Sequence, residues 1–76
     1  MRLDKFLKES RIIKRRTVAK EVVSQGKIYV NDREVKPSYE VKIGDIITID
    51  SFRGISKFEV LSLNKKDESY VRIINE

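Results

Sequence analysis

The residues predict an α+β fold, a helix-turn-helix-like pair packed on a small twisted antiparallel sheet. Three observations carry this: apolar residues recur at helical spacing before Gly26, the period shifts to two after it, and turn-forming residues punctuate the second half at short intervals. Seventy-six residues leave room for one core. The chain therefore reads as a single domain over 1–76, with a module core at about 1–50 and further strands within 51–76.

In the first helix Leu3, Phe6 and Leu7 share one face, and Asp4 sits in the first turn, where negative charge is favoured. That helix is expected to end near Ser10, with a connector over Arg11 to Arg16. Val18, Ala19, Val22 and Val23 form the stripe of a second helix, for which Thr17 can serve as N-cap and Gly26 as the left-handed terminator. The capping box is imperfect, because Lys20 holds the third position and Glu21 follows it. Ile28 and Val30 then alternate with Tyr29, and Asn31-Asp32 can supply the two positive-φ residues of a tight hairpin. Pro37, within Lys36-Pro37-Ser38, interrupts pairing because it lacks an N–H. Gly44-Asp45 marks a turn before a strand from Ile46 to Ile49, and Arg53-Gly54 punctuates before a strand bearing Phe58 and Val60. Asn64 to Ser69 reads as a polar loop, and Val71 and Ile73 alternate in a final strand. The core is expected from Ile, Val and Leu, with Phe6, Phe52 and Phe58.

Composition narrows the chemistry. With no cysteine and no histidine, disulfides and the usual zinc sites are excluded, and no metal or cofactor is expected. No apolar run approaches the roughly 7–15 residues of a secretory signal or the roughly 20 of a membrane span, so the expectation is a cytoplasmic protein with no membrane partner. The net charge is +5, distributed unevenly. Residues 1–36 hold eleven Lys/Arg against five Asp/Glu, a balance of +6, whereas residues 37–76 hold six against seven, a balance of −1. Such one-ended asymmetry suits a polyanionic partner; an ordinary lysine-rich surface is the alternative.

Lys14, Arg15 and Arg16 lie just before the second helix, with Lys20 in its first turns. Cations at a helix N-terminus are disfavoured by roughly 0.3–1 kcal/mol, yet the free N–H groups there bind anions. The cluster makes sense if a phosphate is held there, or if the side chains simply extend into water. Arg2, Lys5 and Arg11 belong to the first helix and its exit, and packing of the two stripes could bring them to one surface with Arg16. Arginine suits this duty because its planar fork pairs with phosphate and stacks on unpaired bases. Asp4 either polarises its helix or holds an arginine of the basic face. Tyr29, Tyr39 and Tyr70 form no evident stacking platform and read as strand packing.

The run from Met1 to Ile49 resembles the RNA-binding module first described in ribosomal protein S-four, the alpha-L RNA-binding fold. Matching positions are Arg2, Leu3, Asp4 and Lys5, then Arg11, Lys14, Arg15, Arg16, Thr17 and Ala19, then Gly26, Ile28, Val30, Asn31, Lys36, Ser38, Val41, Gly44 and Asp45. The resemblance implies that the two helices and the following loop face RNA, with Arg2, Lys5, Arg11, Lys14, Arg15, Arg16, Lys20 and Lys36 as contacts. Asp4, Thr17 and Asn31 then support the site, and Asn31 and Gly44-Asp45 keep turns in shape. Asn31-Asp32 stands where relatives often carry Asn-Gly. Size and the opening MRLDKFL…SR…KRRT…AKEV look most like the stand-alone ribosome quality control factors of the RqcP group. That likeness implies a ribosome-associated protein, a monomer when free, that binds obstructed large subunits carrying peptidyl-tRNA. It would contact rRNA and tRNA and support RqcH as it adds untemplated alanine tails. A heat-shock-type recycling factor of the large subunit is the near alternative, although that group usually has a longer basic C-terminal extension.

Two other classes fit less well. An RNA-modifying enzyme would need a phosphate loop, nucleophile elbow or metal cluster, none of which the sequence holds; Asp45 and Asp50 are better explained by a turn and a strand surface. A helix-turn-helix regulator should present base-reading side chains along its second helix, where this chain has valines and Glu21. The residues therefore point to a binding protein and not to an enzyme.

Overall fold

A computed structural model describes residues 1–63 and 70–74. The polar loop expected over Asn64 to Ser69 lies outside the described residues. Two helices come first, α1 (Leu3–Glu9) and α2 (Arg16–Ser24). Five strands follow: β1 (Ile28–Val30), β2 (Arg33–Glu34), β3 (Ile46–Ser51), β4 (Gly54–Val60) and β5 (Val71–Ile74). All neighbours pair antiparallel in the order β2-β1-β3-β4-β5, so the helical pair and sheet expected from the sequence are both present.

The helical stripes do what their spacing implies. Leu3, Phe6 and Leu7 of α1 are fully buried, as are Ala19 and Val23 of α2, against Ile28, Val30, Val41, Ile47 and Val60. Burying each large side chain contributes about 1.5–3 kcal/mol, which makes this cluster the main source of stability. In the sheet, Ile28 and Val30 sit opposite Ile49 and Ile47, and Ile47 opposite Phe58, so one sheet face supplies the core. The Phe6 and Tyr70 rings meet edge to face, their centroids 6.0 Å apart, which ties the last part of the chain to α1.

Turn chemistry fixes the connections. Asn31 and Asp32 adopt φ of 52° and 65°, as a two-residue primed turn requires, and join β1 to β2. After α2, Gly26 takes φ 74°, and the Gly26 and Lys27 N–H groups donate to the carbonyls of Val23 and Val22, closing a Schellman cap. α1 ends at Ser10, after which Arg11 occupies the left-handed region at φ 64° with no glycine to ease it.

Four expectations are corrected. α2 begins at Arg16 with Arg15 as its N-cap, so Thr17 lies inside the first turn and no side chain caps the helix. The helix starts earlier than the capping pattern suggested because Arg15 is extended and leads directly into helical residues. Val18 is 42% exposed, since it lies about 100° around the helix from Ala19, at the flank of the stripe. Phe52 is not in the core: it stands 96% exposed in the two-residue turn between β3 and β4, beyond the reach of the helices. Phe58, also expected in the core, is only half-buried, because its neighbour across the sheet, Ile73, lies on the edge strand β5 and is itself largely exposed.

Candidate nucleic-acid interface

The basic surface is organised around a buried carboxylate. Asp4 is fully buried in the first turn of α1, where one oxygen accepts the Lys5 N–H at 2.8 Å. The Arg2 guanidinium approaches the carboxylate at 3.4 Å, and that of Arg16, twelve residues away at the start of α2, at 3.5 Å. Asp4 thus accepts a helix N–H and lies against arginines from two different elements. A buried carboxylate with no partner would cost several kcal/mol, so the arginines and the N–H also make its burial possible.

The geometry leaves the arginines available. Their side chains are 48% and 49% exposed, against 2% for Asp4. Both contacts exceed the roughly 2.7–2.9 Å of a tight charge-assisted hydrogen bond, so each guanidinium is held by a long hydrogen bond that leaves most of its donors for another acceptor. One negative charge between two positive ones leaves a net charge of +1 at this point. Arg2 and Arg16 thus present a pre-set pair of planar cations to solvent, suited to adjacent phosphate oxygens.

The two helix ends differ. At α1 the Leu3 and Asp4 N–H groups donate to the carbonyls of Tyr39 and Pro37, at 2.8 and 3.2 Å, so the protein satisfies its own donors there. These bonds also strap the segment after Lys36 to the helix, reinforced by antiparallel backbone pairing of Arg2 with Glu40 and by the Val41 N–H to Met1 carbonyl bond. At α2 no side chain caps the N-terminus and its first turn holds no acidic residue. That end, beside Arg16, is the one open to an anion.

The remaining basic residues take the following places in the chain. Lys5 neighbours Asp4 on α1, Lys20 lies one turn beyond Arg16 on α2, Lys14 and Arg15 lead into α2, and Lys36 precedes the strapped Pro37. Arg11 stands at the far end of α1, on the order of 13 Å along the axis from Arg2, and is not brought to Asp4. Among the described residues none of Lys5, Arg11, Lys14, Arg15, Lys20 and Lys36 makes an ion pair. The charge of these six side chains is therefore not tied up in ion pairs among the described residues.

A second polar network holds the strap in place. The Asp45 carboxylate accepts from the Asn31 side-chain amide at 3.0 Å, the Tyr39 hydroxyl at 3.0 Å and the Lys42 N–H at 2.9 Å, while Asn31 accepts the Ile46 N–H at 3.0 Å. Asn31 thus joins the β1–β2 turn to the start of β3. Burial, the hydrogen bond to Asp45 and the Asp45 charge all raise the Tyr39 pKa above its ordinary value. The Pro37 and Tyr39 carbonyls were not foreseen from the sequence, because backbone acceptors leave no trace in residue type, and the Tyr39 hydroxyl was not, because its partner Asp45 is set by the fold.

Helical pair, strap and clamped arginines together define a class: the S4 domain, whose family model matches residues 1–47. Over 72 residues the chain is 49% identical to the RQC P-site tRNA stabilizing factor of Bacillus subtilis strain 168, covering 91% of this chain and 84% of that protein. Over 65 residues it is 61% identical to the protein of the same name from Halalkalibacterium halodurans, covering 86% and 74%. Its fold is also similar to the trimeric structure of Vibrio cholerae heat shock protein 15, at TM-score 0.87 and 28% identity, over 97% of this chain and 81% of that one. The chain belongs to the S4-domain family of RQC P-site tRNA stabilizing factors.

Proposed function

We propose that this protein is a ribosome quality control factor that binds obstructed large subunits and stabilises the P-site tRNA they carry. The observation that carries this reading is the Asp4-centred pair of half-exposed arginines, one from each helix, beside the uncapped start of α2. Arg2, Arg16, Lys5, Lys14, Arg15, Lys20 and Lys36 contact rRNA and tRNA phosphates; Arg11 contributes from the far end of α1. Asp4 and Asn31 hold the surface in shape. Binding across two RNAs lowers the free energy of one tRNA–subunit arrangement, and in that arrangement RqcH extends the stalled chain with alanine. The protein acts by binding and leaves the chemistry to the ribosome. Family membership at 49% and 61% identity over most of the chain favours this over the heat-shock-type recycling role, whose representative is related at 28%.

The test compares affinities for large subunits with peptidyl-tRNA, bare large subunits and random duplex DNA. The first should exceed the other two clearly, and Arg16→Ala should remove most of the difference. Equal affinity for all three would reject the proposal.

A further inference from the structure

The tip of the β3–β4 hairpin bears an aromatic–guanidinium pair that the basic helical surface does not use. Phe52 is 96% exposed, and the Arg53 guanidinium carbon lies 5.5 Å from the centre of its ring. Ser51 and Gly54 pair across the turn, the Ser51 hydroxyl donates to the Gly54 carbonyl at 3.0 Å, and Gly54 takes φ 116°. The pair therefore sits on a short closed turn and not on a slack loop. A phenylalanine fixed in water at this position contributes nothing to the core.

The tip is remote from Arg2 and Arg16. The Asp50 N–H donates to the carbonyl of Lys27, just after the C-terminal end of α2, whereas Arg16 is at that helix's start. The nine residues of α2 separate its two ends by roughly 12 Å along the helix axis, which sets the tip apart from the start of α2. Arg53 makes no ion pair among the described residues, so its charge is free to meet an anion.

Chemistry and size decide the occupant. The tip itself offers one ring face and one guanidinium, a small footprint against the roughly 800 Å² that each side of a typical protein–protein interface buries. One unpaired base needs a single ring face and a cation near its phosphate. Phe52 offers the ring and Arg53 the cation. We propose that Phe52 and Arg53 form a second RNA contact, in which Phe52 stacks on an unpaired base and Arg53 pairs with the adjoining phosphate. This rests on the proposed binding to RNA in the ribosome and adds a contact point away from the clamped arginines. Two contacts set apart in this way let a chain of this size bridge two RNA segments, each raising the effective concentration of the other.

The test uses the full chain and large subunits carrying peptidyl-tRNA. Phe52→Ala should weaken binding by about tenfold or more, and Phe52→Trp should restore it. Because Phe52 is exposed, thermal unfolding of Phe52→Ala should match the parent. A photo-reactive benzoylphenylalanine at position 52 should cross-link to RNA. Cross-links to ribosomal protein alone, no cross-link at all, or unchanged affinity of Phe52→Ala would overturn the second contact. If Arg16→Ala loses binding while Phe52→Ala does not, this inference alone fails; if the parent chain does not bind the subunits, the functional reading fails with it.

Discussion

Asp4 shows how one residue serves stability and function together. Its carboxylate is shielded from water, satisfied by the Lys5 N–H, and faced by two guanidiniums that keep about half their surface exposed. Asp4→Asn keeps the size and the N–H acceptor but releases both arginines. It also removes a negative charge, so affinity for random RNA should hold or rise while the preference for tRNA-bearing subunits falls; filter binding against both ligands reads the split. Asn31 is a purely structural counterpart. Asn31→Ala removes two hydrogen bonds and leaves Asp45 with fewer donors, which should cost about 1–3 kcal/mol in urea unfolding. Tyr39 gives a pH signature. Its folded pKa is raised, so the unfolded chain gives up that proton first as pH climbs; the stability it contributes is whole below the unfolded value near 10 and declines as pH rises through the folded value. Tyr39→Phe should flatten that alkaline decline in a pH series of thermal unfolding.

At the scale of elements, helix ends and turns separate what residue type encodes from what it does not. Gly26 was legible because only a left-handed residue closes the cap after α2, and a Cβ there would come 2.8 Å from the Glu34 carboxylate. Gly26→Ala should cost about 1–2 kcal/mol, most of it from the backbone. Thr17 was misleading: a threonine before an apolar stripe has the pattern of an N-cap, yet the chain turns helical one residue sooner. Thr17→Ala should therefore change stability by less than about 0.5 kcal/mol, where removal of a true cap costs about 1. Differential unfolding of the two variants separates these cases. The Asn31-Asp32 hairpin was legible from turn chemistry alone. The exposure of Phe52 was not, because a phenylalanine between two strands carries no mark of whether the turn projects beyond the helices.

Across the whole molecule, the helical pair, the antiparallel sheet and the side chosen for the core followed from apolar period, and the basic half followed from the distribution of charge. The convergence of Arg2 and Arg16 was legible only as one arrangement among several, since it depends on how α1 and α2 pack. The strap of residues 37–41 against α1 depends on carbonyls, which any sequence supplies. What the assembled fold adds is restraint: Arg2 and Arg16, fourteen residues apart in sequence, are held at one carboxylate, with the segment 37–41 braced against α1. Removing both clamped arginines would leave Asp4 buried with only the Lys5 N–H, so Arg2→Ala/Arg16→Ala should also lower stability, by more than either change alone.

That double variant provides the most direct measurement, the dependence of affinity for tRNA-bearing large subunits on salt concentration. If the pair grips phosphates, log affinity should fall less steeply with log salt than in the parent, by about 0.7–0.9 for each phosphate the variant no longer neutralises. A variant that stays folded and keeps both the parent's affinity and its slope would show that RNA is held elsewhere.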